Sequence, residues 1–166
     1  MAEITLGGNA IHTNGNLPSP GSSLMNVRLV NTKLENINLT DLLGKKLVIN
    51  IFPSVNTGVC AASMRKFNEL ASQLEDTRVI NISMDLPFSL DQFCGSEGLE
   101  NIESYSDFRF REFGDHYKCR IEDGKFAALL SRAIIVTDQD GKILHTEQVS
   151  EIAHEPDYDA VMAIIK

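Results

Sequence analysis

At 166 residues, 43% of them hydrophobic and 23% charged, the chain can bury a substantial core without disulfide staples and has an ordinary globular composition. Its formal charge of −8 argues against a nucleic-acid partner, because phosphate recognition calls for a basic face. No apolar stretch approaches the roughly 20 residues needed to cross a bilayer, and Met1–Leu6 lacks the basic and apolar regions of a secretory signal. A cytoplasmic protein without a membrane partner is therefore expected.

Ile4–Leu6 and Ala10–Thr13 read as a small hairpin around Gly7-Gly8, which supplies positive φ at the turn. Asn14-Gly15 and the Pro18–Ser23 cluster form a loop. Met25–Val30 and Leu34–Asn38 suggest short strands, and Thr40 would cap a brief turn through Leu43 that Gly44 stops. Leu47–Phe52 is apolar enough for a central strand buried on both faces. After the turn Pro53–Cys60, a helix from Ala61 to Leu74 carries Met64, Phe67, Leu70 or Ala71, and Leu74 as an apolar stripe, leaving Arg65, Lys66, Asn68 and Glu69 to water. Thr77–Met84 is the next strand, and Ser89 would cap a short helix holding Phe93 and Cys94. A weak strand near Ile102–Tyr105 leads to a helix around Phe108–Phe113. Ala133–Thr137 and Lys142–Gln148 flank Asp138–Gly141, a hairpin signal. Asp157–Lys166 closes the chain as a helix whose acidic start suits the helix dipole. This order predicts one α/β domain over residues 1–166, with a central mixed sheet flanked by helices and an N-terminal β-hairpin. Thioredoxin-like folds have that order, although spacing alone leaves a flavodoxin-like sheet open.

The three cysteines are Cys60, Cys94 and Cys119. In a reducing compartment lasting disulfides are rare, and pairing there points to a transient, catalytic bond. The plain reading of a free cysteine is a small buried hydrophobe. Cys60 departs from it because it stands on a strand-to-helix turn, close to a helix N-terminus. Unpaired N–H groups there carry partial positive charge and favour the thiolate, the reactive form. Thr57 can cap the helix and bond the N–H of Cys60 or Val59, while Pro53 stiffens the turn and donates no hydrogen bond. Arg132, by itself, reads as a solvated charge at the start of a strand. His12, His116, His145 and His154 are scattered without metal-ligand spacing, so no metal is expected. No Cys-x-x-Cys pair marks a dithiol oxidoreductase, and no phosphate-loop pattern marks nucleotide binding. A Cys-His hydrolase stays open on sequence distance, without a local signature.

Pro53, Thr57 and Cys60 together form Pro-x-x-x-Thr-x-x-Cys, which resembles the active-site motif of the peroxiredoxins. Further segments resemble the thiol peroxidase subfamily of atypical two-cysteine type: Ala61–Asn68, Asp85-Leu86-Pro87-Phe88, Phe93–Leu99 and Glu155–Tyr158. Asn56 departs from the Asp that many members carry. The resemblance spans nearly the whole chain and implies a thioredoxin-like (peroxiredoxin) fold and an antioxidant peroxidase, acting on hydrogen peroxide and organic hydroperoxides with a thiolate as redox centre and no metal, haem, flavin or other cofactor. It implies that Cys60 is the peroxidatic cysteine, oxidised to a sulfenic acid, with Thr57 orienting the peroxide, Pro53 shielding the site and Arg132 beside the thiolate. Cys94 would resolve the sulfenic acid as a Cys60–Cys94 disulfide, recycled by thioredoxin, and the protein would be a homodimer. On separate helices the two cysteines would exceed the roughly 7 Å bridging limit, so local unwinding after Cys60 and across Ser89–Gly98 is expected. Cys119 matches no motif and is expected to be a bystander, although basic neighbours could activate its thiol.

Overall fold

A computed structural model describes residues 1–165. Strands β1 (Glu3–Leu6) and β2 (Asn9–His12) pair antiparallel as the expected hairpin, turned by Gly7 and Gly8 at positive φ. A second sheet contains β3 (Arg28–Asn31), β4 (Asn36–Asn38), β5 (Lys46–Ile51), β6 (Thr77–Ser83), β7 (Glu103–Ser106), β8 (Ala133–Thr137) and β9 (Ile143–Gln148). Their order is β4-β3-β7-β6-β5-β8-β9. The pairs β5–β6 and β6–β7 are parallel and the other pairings antiparallel, so the sheet is mixed. Among the described residues no helix is long and apolar enough to cross a membrane.

Both faces of the sheet are covered, which is why β5 reads as an unbroken apolar run. Leu47, Ile49 and Ile51 point to one face with Ile80, Ile82 and Ile135, against Phe113 and Tyr117 of α3 (Glu112–Tyr117). Val48, Val79, Ile134 and Val136 point to the other. There they meet Met64 and Phe67 of α1 (Gly58–Ala71), Leu90 of α2 (Pro87–Glu97) and Val161 of α4 (Tyr158–Ile165). Each such fully buried side chain contributes about 1.5–3 kcal/mol relative to exposure. A row of polar residues interrupts this second face: Asn50 of β5 stands opposite Asn81 of β6, and Asn81 opposite Ser104 of β7.

Several boundaries differ from expectation. Helix α1 begins at Gly58 and takes Cys60 inside its first turn, and it ends before Leu74. Asn38, rather than Thr40, flanks the 3-10 turn Leu39–Leu42. Helix α2 opens at Pro87, whose fixed φ and missing donor suit a first helical position, so Ser89 lies inside it. The helix expected at Phe108–Phe113 starts instead at Glu112, because Arg111 sits in the left-handed region at φ 59° and breaks the preceding turn. Asp107 then accepts the amides of Phe113 and Gly114 at 3.0 and 2.9 Å and anchors the helix start. Helix α4 runs to Ile165; the expected Lys166 lies outside the described residues.

Candidate active site

Beyond the buried end of β5, Phe52 and Pro53 lead into a short loop before α1. Ser54 winds that loop: its carbonyl accepts the N–H of Thr57 at 3.2 Å and the Thr57 hydroxyl at 3.1 Å. Its own hydroxyl donates to Asp85 at 2.8 Å and accepts the amide of Asn56 at 3.2 Å. Asp85, just past β6, also accepts the Val55 amide at 2.9 Å and the Ser83 hydroxyl at 2.7 Å. One carboxylate thereby fixes three points around the entry to α1. Backbone angles of Thr57 (φ −103°, ψ 143°) put it at the helix N-cap, and its carbonyl accepts the Ala61 amide at 3.0 Å. Its hydroxyl, however, turns to Ser54 and makes no cap bond, contrary to the expected contact with Cys60 or Val59. The amides of Gly58, Val59 and Cys60 lie in the first turn, before the internal ladder of the helix begins.

Cys60 is 0% exposed and packs with Val55, Met64 and Phe67. Across the sheet, β8 pairs antiparallel with β5 and begins at Ala133, opposite Ile51. Arg132 immediately precedes the strand and has the parity of Ile134, so it emerges on the α1 face beside the motif loop. There Arg132 is only 1% exposed, not the solvated residue its local sequence suggests. Its Nη2 donates to Cys60 Sγ at 3.3 Å and its Nε to the Ile152 carbonyl at 2.8 Å. Nη1 has no partner among the described residues, leaving a buried N–H pair beside the thiol.

The Ile152 carbonyl is itself held. Ile152 donates its N–H to Thr5 of β1 at 2.9 Å, and the neighbouring Glu151 accepts amides of Gly8 at 2.8 Å, Ala153 at 2.8 Å and Gly7 at 3.2 Å. These amides hold the Glu151 carboxyl down at about 2. The N-terminal hairpin thus fixes the segment that orients Arg132.

Cys94 lies in α2 and is half-buried against the same core as Cys60. All three cysteines are free thiols. Cys94 Sγ lies 3.5 Å from the Ser104 hydroxyl, and burial pushes its pKa up while that hydrogen bond pulls part of the way back. Gly98 closes α2 in the left-handed region at φ 67°, where the Leu99 amide bonds back to the Cys94 carbonyl at 3.0 Å. Arg65 of α1 reaches Glu97 of α2 at 2.7 Å, clasping the two helices together. Cys119 is wholly buried in the opposite core, and burial there, with the charge of Asp107 behind it, drives its thiol upward. Basic neighbours therefore do not activate it.

Four residues were not assigned from sequence: Asp85 and Ser54 in the loop scaffold, Ile152 through its carbonyl, and Ser104 at Cys94. Asp85 carries two legible signals: it opens the family-like segment Asp85-Leu86-Pro87-Phe88, and it is an acidic residue just past the end of a buried strand.

A family model described as Redoxin matches residues 19–162. A thiol peroxidase of Corynebacterium glutamicum is 48% identical over 165 residues, covering 99% of both chains. Among solved structures, a peroxiredoxin-like protein from Aquifex aeolicus superposes with a TM-score of 0.93 at 32% identity, covering 99% of this chain and 96% of that one. A thiol peroxidase from Chromobacterium violaceum superposes with a TM-score of 0.90 at 23% identity, over 97% of this chain and 93% of that one, a likeness of fold.

Proposed function

The chain belongs to the redoxin family, in its thiol peroxidase branch, and from that premise we propose that Cys60 is its peroxide-reducing thiol and Cys94 its resolving partner. It is a thiol-dependent peroxidase, an oxidoreductase with a hydroperoxide as substrate and a thioredoxin-type reductant. The observation that carries the residue assignment is the buried guanidinium of Arg132, 3.3 Å from Cys60 Sγ with a further N–H pair unspent.

In the first step the Cys60 thiolate attacks the terminal oxygen of ROOH. The S–O bond forms as the O–O bond breaks, sulfur is oxidised to sulfenic acid, and RO⁻ takes a proton to leave as ROH. Negative charge develops on the leaving oxygen, and fixed donors aimed at it lower the barrier without reorganising. Arg132 Nη1 and the first-turn amides of α1 are such donors. Thr57 has spent its own O–H on Ser54, so its lone pairs are free to accept the hydrogen of ROOH and orient it. Pro53, buried and without an N–H, closes the site to water.

In the second step the Cys94 thiolate attacks Cys60–SOH, forming the S–S bond and releasing hydroxide, which is protonated to water. A thioredoxin-type dithiol then reopens that disulfide by exchange. Both helices are wound here, so α1 must open after Cys60 and α2 must open around Cys94. Residues 1–166 acting as one domain, homodimerisation and a cytoplasmic setting belong to the same proposal.

A coupled assay with thioredoxin, its reductase and NADPH tests the reading. The unsubstituted chain should consume many equivalents of peroxide; Cys60→Ser should consume none. Cys94→Ser should reduce one equivalent and then stall. Full turnover by Cys94→Ser would overturn the resolving role, and one-equivalent consumption by the unsubstituted chain would make it a sensor rather than a catalyst.

A further inference from the structure

We propose that Ser104 is a positioning residue for Cys94: its hydroxyl donates to Cys94 Sγ, in a direction imposed by a buried row of side chains that reaches back to Cys60. The row lies on the sheet face under α1 and α2. Ser63, on α1, donates to the Cys60 carbonyl at 2.8 Å and receives Asn50 Nδ2 at 3.3 Å. Asn50 Nδ2 also donates to Asn81 Oδ1 at 3.0 Å. Asn81 Nδ2 in turn donates to the Glu103 carbonyl at 3.3 Å and to Ser104 Oγ at 3.4 Å. Ser104 Oγ reaches Cys94 Sγ at 3.5 Å. Asn50, Ser63 and Asn81 are 0% exposed and Ser104 is 7% exposed.

Two backbone carbonyls fix the sense of each bond as far as Ser104 Oγ. A carbonyl only accepts, so Ser63 spends its single O–H on Cys60, and Asn50 must present N–H to Ser63. The Glu103 carbonyl likewise demands the amide nitrogen of Asn81, which turns Asn81 Oδ1 toward Asn50. The second N–H of Asn81 then falls to Ser104 Oγ as acceptor. Ser104 has one O–H of its own, and Cys94 Sγ is the only acceptor in reach of it among the described residues. A hydroxyl donated to sulfur favours the thiolate over the thiol and holds Sγ on the sheet side of α2. It thereby offsets part of the burial that otherwise disfavours the form needed to attack Cys60–SOH.

Charged and titratable groups of its own helix, of β7 and of the β3–β4 turn line one cavity with Cys94. Asp91 comes from its own helix, Glu103 and Tyr105 from β7, and Lys33 and Glu35 from the β3–β4 turn. All five line a cavity of about 310 Å³ beside the thiol. Arg65 of α1 is engaged with Glu97. Ser104 is the one hydrogen-bond partner of Sγ among the described residues.

The proposal deepens the resolving assignment and rests on it for its catalytic meaning, but its test does not. In a Cys60→Ser chain, the rate of Cys94 alkylation by iodoacetamide is followed against pH, with the modified residue identified by peptide mapping. Ser104→Ala should raise the midpoint by about one unit, the scale of a lost hydrogen bond to an ion, and Ser104→Thr should restore it. An unchanged midpoint in Ser104→Ala overturns the proposal. Should Ser104→Ala fail to fold, the infrared S–H stretch in the Cys60→Ser chain decides. The band lost on alkylating Cys94 should have the frequency of a thiol that accepts without donating, whereas the lowered frequency of a donating thiol would overturn it. Neither readout involves disulfide formation, so failure of the resolving role appears separately, in the coupled turnover assay.

Discussion

Replacing Asp85 by alanine should disable the site without touching a reacting atom. The carboxylate accepts the Ser54 hydroxyl, the Val55 amide and the Ser83 hydroxyl, all within 2.9 Å. A hydrogen bond to a charged group contributes about 1.5 kcal/mol or more, and three would sum to more than 4. Asp85 is only half-buried, so re-entering water recovers part of this, and the expected loss is about 3 kcal/mol. Asp85→Asn can keep an oxygen toward Val55 and Ser83 and turn its NH₂ to Ser54 Oγ, so its cost should be about 1 kcal/mol. Urea unfolding of the reduced protein, read as midpoint shifts at constant m-value, measures both. Ser54 also fixes Thr57, so the alanine chain should lose the alignment of the first turn. A misplacement of about 1 Å costs on the order of 100-fold in rate, and single-turnover peroxide reduction by stopped flow should show slowing of that order. Stability within about 0.5 kcal/mol of the unsubstituted chain, together with an unchanged attack rate, would refute the scaffold argument.

Arg132→Lys should slow peroxide attack about 100-fold, because one ammonium cannot bond the Ile152 carbonyl, face Cys60 and keep a free donor pair as the planar fork does; stopped-flow kinetics at saturating reductant check it. Glu151 is depressed in the folded chain, so its stabilisation is complete above the ordinary glutamate value and is lost as pH falls from about 4.5 toward about 2. Acid unfolding of the unsubstituted chain should be steep in that window, and Glu151→Gln should flatten it; equal slopes would contradict the clasp. Arg65→Ala removes the bridge to Glu97 between α1 and α2, so disulfide formation after one peroxide equivalent should accelerate. Salt should speed the unsubstituted chain toward the same limit, since exposed pairs are screened.

The regular elements were legible wherever burial wrote a period into the sequence. Leu47–Phe52 announced a strand covered on both faces, and Asp138–Gly141 announced the last hairpin, with β8 ending at the expected Thr137. Helix starts set by distant partners were not legible. Asp107 and the left-handed Arg111 moved α3 four residues along the chain, a shift that Phe110 and Phe113, three apart, conceal by mimicking a helical stripe. At the site, the motif named Pro53, Thr57 and Cys60, but local sequence gave Arg132 the wrong environment. Its burial depends on the β5–β8 register and on a carbonyl twenty residues downstream. The Thr57 hydroxyl was assigned to the helix because cap preference is local, whereas Ser54 competes for it only once Asp85 has closed the loop. Ser104 was invisible for the same reason: a serine in a weak strand shows nothing until a register sets it beside Asn81 and beneath Cys94.

The tie from Arg132 to Ile152, and from there to the N-terminal hairpin, has a consequence for the order in which the protein is made. Cys60 leaves the ribosome 72 residues ahead of Arg132, and the carbonyl that aims Arg132 follows another 20 behind. Strand β1 is synthesised first yet waits for Glu151 before its turn is held. A nascent chain therefore carries Cys60 without a guanidinium beside it through most of its synthesis. On the proposed assignment, peroxide reactivity switches on only when the last quarter of the polypeptide docks against the first strand, so a truncated product should harbour Cys60 without its chemistry.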